Sequence, residues 1–179
     1  MLGHERTVQA LALPLQPGRA VTAGWDGRVI CWDLRSGRQV WRADSHRESI
    51  LTVAVHPVDG SVVTGGRDMR LVIHDPESGA VLRVLSDHGQ QPQGIAFTPD
   101  GSRMFTAGFA TTFKVWSWAD GRDLLSLRRD DLASFRSLSV SPDGREAVLG
   151  CGRGILLRMA RDQAPRRVDL PPAGRREPE

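Results

Sequence analysis

Short runs of alternating or wholly apolar β-forming residues, each closed by glycine, proline or aspartate, make up most of this chain. Leu51-Thr52-Val53-Ala54-Val55 stops at His56-Pro57-Val58-Asp59-Gly60, and Val62-Val63-Thr64 stops at Gly65-Gly66. Leu71-Val72-Ile73 ends ahead of Pro76-Glu77-Ser78-Gly79. These runs have the length of strands and are too short for helices. A fourth, Val81-Leu82-Arg83-Val84-Leu85, alternates less cleanly. Four strands joined by tight turns predict one antiparallel meander, which alone cannot bury both of its faces. The chain is therefore expected to be all-β, with several such sheets covering one another.

The pattern recurs at a fixed interval. His4, His46 and His88 stand 42 residues apart, and Thr22, Thr64 and Thr106 keep the same spacing. So do Gly24, Gly66 and Gly108, and then Gly37, Gly79 and Gly121. A period near forty with turn signals inside it marks repetition of one small sheet. Repeats of this kind pack face to face around an axis.

The residues that carry the period form a recognisable set. Leu2-Gly3-His4, Thr22-Ala23-Gly24-Trp25-Asp26-Gly27 and Val29-Ile30-Cys31-Trp32-Asp33 resemble the WD-repeat family of β-propeller proteins. The second unit has Ser45-His46, Thr64-Gly65-Gly66-Arg67-Asp68 and Ile73-His74-Asp75, with His74 in place of the signature tryptophan. The third has Asp87-His88, Phe97-Thr98-Pro99-Asp100-Gly101 and Val115-Trp116-Ser117, with Ala110 where the turn aspartate belongs. The fourth keeps Val140-Ser141-Pro142-Asp143-Gly144 but carries Asp130 in the histidine column and Arg158 in the tryptophan column. The resemblance runs from residue 2 to about 170. It implies a β-propeller of four four-stranded antiparallel blades, at approximately 1–37, 38–79, 80–121 and 122–170. A Pro-rich tail over 171–179 is expected to be disordered.

The resemblance also implies a buried hydrogen-bond chain in the first blade, formed by His4, Thr22, Asp26 and Trp32. His46, Thr64 and Asp68 would form it in the second blade, and His88, Thr106 and Trp116 in the third. A carboxylate and an imidazole buried beside a sheet must satisfy each other, because an unpaired buried polar group is costly. In this family partners dock on the face that carries the loops into each first strand and the turns between second and third strands. The residue before the turn aspartate points there and reads Trp25, Arg67 and Phe109; Gln93 and Arg136 belong to its polar rim, with Arg6, Gln9, Arg47, Glu48 and Gln91. Two aromatics flanking an arginine match the side chains enriched at interface centres.

Composition leaves this picture intact. The net charge is +3, with acids interspersed among arginines, which is weak support for nucleic-acid binding. No apolar run opens the chain, since Glu5 and Arg6 follow His4 directly, so neither a signal peptide nor a membrane span is expected. Cys31 shares a strand column with Ile73 and Val115, and Cys151 ends a strand; both read as core residues, and a cytoplasmic setting follows. Histidines in one column of different blades cannot converge on one metal. No Gly-x-Ser-x-Gly elbow is present. Gly150-Cys151-Gly152-Arg153-Gly154 leads into the strand Ile155-Leu156-Leu157, not a helix, and reads as a turn. Metal, cofactor and catalytic machinery are thus not expected.

The functional expectation is a non-enzymatic scaffold for a protein or peptide partner. The alternative is a regulatory or sensor module of a larger multidomain protein, such as a bacterial kinase- or protease-linked one. Four blades make about half of the ring that this family usually closes. Exposed end faces of that size call for a cover: a homodimer, additional propeller blades, or, in an independent open arc, degenerate end blades acting as caps. Replacing Asp26 with Ala should lower the melting temperature more than Asp143→Ala, by the equivalent of about 1–3 kcal/mol for a stranded buried partner. Circular dichroism melts check this, and equal shifts would contradict the assignment of Asp26 to the chain.

Overall fold

The computed structural model describes residues 3–86, 88–128, 134–152, 155–160 and 166–168. Its strands form four antiparallel four-stranded sheets in simple sequential order. The first holds β1 (Val8–Ala12), β2 (Arg19–Gly24), β3 (Arg28–Asp33) and β4 (Gln39–Asp44). The second holds β5 (Ile50–Val55), β6 (Val62–Gly66), β7 (Leu71–His74) and β8 (Val81–Leu85). The third holds β9 (Pro92–Phe97), β10 (Arg103–Gly108), β11 (Thr112–Ser117) and β12 (Asp123–Arg128). The fourth holds β13 (Phe135–Val140), β14 (Glu146–Cys151), β15 (Ile155–Ala160) and β16 (Arg166–Val168). Each meander is one blade of propeller type. Neighbouring blades meet along their first strands, β1 on β5, β5 on β9 and β9 on β13, and the sheets are not closed into a ring.

Burial follows the two-residue period of a strand. In β6, Val62 packs toward the first blade with Val21, Val29, Cys31 and Ile50, while Val63 packs toward the third with Ile95, Met104 and Trp116. In β10, Met104 faces back to the second blade and Phe105 forward to the fourth, where it joins Ala147, Leu149 and Met159. Middle blades are therefore apolar on both faces, and each junction is a separate core. Full burial of a Val, Leu or Phe side chain is worth about 1.5–3 kcal/mol, so the junctions carry the stability of the arc. Beyond the last junction the pattern relaxes: Val148, on the far side of β14, is exposed. Cys31 and Cys151 are buried within junction cores, and burial pushes the Cys31 thiol up, against the opposing effect of Arg19.

Two aromatic contacts lock the blades together at the turns. Trp41, on the outer strand β4, donates its indole N–H to the carbonyl of Pro76 in the next blade (3.0 Å). Its ring lies against Gly79, where an added Cβ would sit 2.5 Å from the indole and where φ is +73°. Glycine is needed there on both counts. Between the second and third blades, His56 stacks on Trp118 with ring centroids 4.3 Å apart and meets Phe97 edge-on. His56 Nε2 donates to the Gly101 carbonyl (2.9 Å), and its Nδ1 accepts from the Asp59 N–H (3.0 Å). Trp118 closes the set by donating to Asp59 (2.8 Å). His56 is thus a packed, fully bonded joint between blades.

Trp41→Ala should destabilise the protein by about 3–5 kcal/mol, as for a buried tryptophan removed without repacking. Trp41→Phe, which keeps most of the ring and loses the bond to Pro76, should cost only about 1 kcal/mol more than repacking alone. Urea denaturation midpoints at constant m-value distinguish the two; an equal loss would mean that the hydrogen bond, not the packing, holds the joint.

Candidate protein-binding face

The end of the blades that carries the incoming loops and the second-to-third-strand turns is built the same way in all four repeats. The N–H of the residue opening each turn donates to the incoming loop: Trp25 to Thr7 O, Arg67 to Ser49 O, Phe109 to Gln91 O and Gly152 to Ser134 O, at 2.9, 2.9, 3.0 and 3.1 Å. Just beyond, every first strand carries a bulge, and the unpaired residues are Gln9, Leu51, Gln93 and Arg136. A bulged residue leaves the ladder and is re-aimed. Two of them reach the turn residues: Gln9 Oε1 accepts from the Trp25 indole N–H (2.8 Å), and the Arg136 guanidinium lies 5.6 Å over the Phe109 ring.

Beneath this surface lies the histidine column. In the first blade Asp26 can only accept, so His4 Nδ1 donates to it (3.0 Å), and His4 Nε2 accepts from the Thr22 hydroxyl (2.8 Å). Trp32 donates to the same hydroxyl oxygen (2.8 Å). The chain ends on backbone, since the N–H groups of Glu5 and Arg28 both bond Asp26 (2.9 and 3.2 Å). Burial alone would raise the Asp26 pKa, but the bonds from His4, Glu5 and Arg28 outweigh it and hold the carboxyl below its ordinary range. Every donor and acceptor is satisfied. The side chain of Asp26 is 4% exposed, against 59% for Asp143 in the fourth blade.

The second blade repeats the arrangement with a change at its end. His46 bonds Asp68 (2.9 Å) and Thr64 (2.8 Å) as His4 does. His74, standing where the first blade has Trp32, brings its Nε2 to 3.2 Å from Thr64 Oγ1 and donates from Nδ1 to the Gly79 carbonyl (3.2 Å). One threonine hydrogen now faces two imidazole lone pairs, and Ser45 Oγ, 3.3 Å from His74 Nε2, supplies the second donor. His74 is fully buried, and burial brings its pKa down to about 4.

The third blade departs from the expected chain. Trp116 donates to Thr106 (2.8 Å), but His88 is not part of that chain. Its Nδ1 donates instead to the Gln90 carbonyl (2.7 Å), and its Nε2 is buried with no hydrogen-bond partner among the described residues. The reason is Ala110: without a turn carboxylate nothing draws Nδ1 across the blade, and the ring turns to the nearest carbonyl. The turn itself is a short 3-10 segment, Phe109–Thr111, with Ala110 and Thr111 at φ 49° and 57° where the first blade has Asp26 and Gly27. Burial lowers the His88 pKa to about 4. In the fourth blade Arg158 pairs with Glu146. Asp130, Arg153 and the 171–179 tail lie outside the described residues.

Of the residues expected to form a binding face, Trp25 and Phe109 are 42% and 41% exposed and each is braced by a polar neighbour. Arg67 is exposed, and its side chain makes no hydrogen bond or ion pair among the described residues. Gln93 is half-buried at its bulge. The three turn residues occupy equivalent places on successive blades; Ser49, whose hydroxyl donates to the Trp25 carbonyl (3.1 Å) and whose own carbonyl holds Arg67, links the first two turns through backbone. Arg28 and Arg70 were not singled out from the sequence, although they too stand 42 residues apart. Among the described residues, no group of three or more His, Cys, Asp or Glu side chains is placed to hold a metal ion, and no helix is long and apolar enough to cross a membrane.

Four stacked meanders with a histidine column beneath the turns define a repeat protein of the propeller class. Residues 1–33, 37–75 and 79–117 each match the WD domain, G-beta repeat model, and the chain belongs to that WD-repeat family. It is 28% identical over 148 residues, 79% of its length, to WD repeat-containing protein 90 of Homo sapiens, of which it spans 8%.

The buried histidines make stability depend on pH. His74 and His88 take up a proton near pH 4 when folded and near 6.5 when unfolded, so between these values the unfolded chain binds more protons. Stability should fall as pH drops from about 6.5 toward 4, by at most about 1.4 kcal/mol per pH unit for each histidine. The buried aspartates, whose pKa values are lowered, contribute above the ordinary carboxylate range and lose that contribution only at lower pH. Melting curves from pH 7 to 5 should show the decline, with a shallower slope in His74→Trp and His88→Leu; an unchanged slope in both variants would refute it.

Proposed function

We propose that the chain is a non-enzymatic scaffold that captures a protein or peptide partner on its loop face, through Trp25, Arg67 and Phe109 with Gln93 and Arg136 at the rim. WD-repeat domains generally mediate protein–protein interactions and are generally non-enzymatic. The observation that carries the finer reading is the display of two large aromatic rings in solvent, each held by a polar brace. Rings fixed before binding lose little conformational freedom on contact, which is how aromatic anchors dominate interfaces. The bond that the Trp25 indole donates to Gln9 and the cation of Arg136 over the Phe109 ring brace these two.

A second reading is favoured by the open arc. Further blades, from a second copy or from a longer protein in which this arc is a regulatory or sensor module, cover the end faces. Relief of exposed apolar surface such as Val148 supports it.

Trp25→Ala/Arg67→Ala/Phe109→Ala should abolish recovery of binding partners from a native lysate while leaving the melting temperature within a few degrees, because none of the three side chains is buried. Unchanged recovery would place the binding surface elsewhere. Light-scattering mass of the purified chain should exceed that of one copy if a second copy covers the ends. A single-copy mass that Val148→Asp leaves equally soluble and stable would count against self-pairing.

A further inference from the structure

Equivalent positions in the first two blades carry opposite electrostatics. In the first, Arg28 is neutralised: its Nη1 lies 2.6 Å from Glu5 Oε1 and its Nε 3.1 Å from Asp44 Oδ1. One repeat later the same three places are Arg70, Arg47 and Ser86. Both carboxylates are gone and one has become a second arginine. Arg67 stands beside them at the turn. Arg47 and Arg67 are exposed, Arg70 is half-buried, and none of the three side chains has an ion pair among the described residues.

The acids nearby do not offset this charge. Asp68 directs its two oxygens to His46 and to the backbone N–H groups of Arg47 and Arg70, inside the blade. Glu48 is exposed and forms no ion pair among the described residues. Asp87 lies outside the described residues. Three arginines of the incoming loop and turn of one blade thus have no ion pair among the described residues, and their blade lies between those that carry Trp25 and Phe109.

We propose that the loop face of the second blade is a docking site for an acidic peptide segment, whose carboxylates pair with Arg47, Arg67 and Arg70 while its apolar side chains meet Trp25 and Phe109. This rests on the loop-face reading above and adds the partner's chemistry. Guanidinium groups match carboxylates in geometry and can bond them with two N–H groups at once. Exposed pairs of this kind contribute chiefly to encounter rate and selection among partners, and aromatic contacts to residence. A nucleic acid fits less well: three cations beside Glu48 make a spot, not the basic stripe that a phosphate backbone tracks.

The test uses the full chain and two labelled peptides, one of alternating Glu and Leu and the same peptide with Gln for every Glu. Fluorescence anisotropy should show binding of the Glu peptide that weakens steeply with added salt, and binding at least about tenfold weaker for the Gln peptide. Arg47→Gln/Arg67→Gln/Arg70→Gln should remove that preference, whereas Arg28→Gln, at the already neutralised position of the first blade, should leave it unchanged. Melting curves confirm that the variants fold. Equal binding of both peptides, or equal loss in the Arg28 and triple variants, overturns the acidic assignment. If both peptides bind equally and Trp25→Ala/Phe109→Ala abolishes both, the loop face stands and only the charge argument fails. If the Glu peptide binds and no loop-face substitution weakens it, the loop-face reading fails too. Tighter binding of a single-stranded oligonucleotide at the same ionic strength would overturn the choice of a protein partner.

Discussion

A four-stranded meander that is apolar on both sides has no stable existence in water by itself, and nearly every feature of this chain follows from that constraint. Strand alternation sends Val62 one way and Val63 the other, so each sheet needs two neighbours. Glycine at the outer turns lets the next blade approach, as Gly79 does under Trp41. In the first two blades the turn aspartates accept main-chain N–H groups of the entering loop, from Glu5 and Arg47, and the imidazoles of His4 and His46 tie those carboxylates to the threonines of the second strand. The open ends of the arc are the same constraint left unmet within the described sheets.

The strand pattern and the repeat interval were legible because both are short-range and periodic. A side-chain period of two names the buried positions without any knowledge of partners, and a 42-residue recurrence names the equivalent places in each blade. The bonds of the first blade could be read the same way, since all four residue types were present. What failed to be legible was the behaviour of the column once one member changed. Replacing the turn aspartate by Ala110 does more than subtract one bond, because it releases His88 to another carbonyl and leaves a nitrogen unpaired. Conversely His74, seen in the sequence only as a missing tryptophan, rejoins the chain through Thr64 and Ser45. Outcomes of this kind depend on which donor lies within about 3 Å, which no linear spacing states.

The candidate face was partly legible for the same reason. The turn column gave Trp25, Arg67 and Phe109 as places, but their braces depend on bulges that no residue type announces. The ion pairs of Arg28 are likewise a three-dimensional fact: Asp44 meets it when β3 and β4 pair, and Glu5 when the entering loop bonds Asp26. Once those pairs are seen, comparing columns between blades shows what the second blade lacks. In a repeat protein each blade is a control for its neighbours.

The bulge at the head of every first strand has a consequence of a different kind. Gln9, Leu51, Gln93 and Arg136 sit at one structural place yet share no chemistry, being amide, aliphatic, amide and cation. Because a bulged residue owes nothing to the ladder, its side chain can change without penalty to strand pairing. The fold thereby sets aside, in every repeat, one position next to the axis that is exempt from the repeat itself, and identity can drift there while architecture stays fixed. A chain made by copying one unit can in this way present a surface on which no two units are alike.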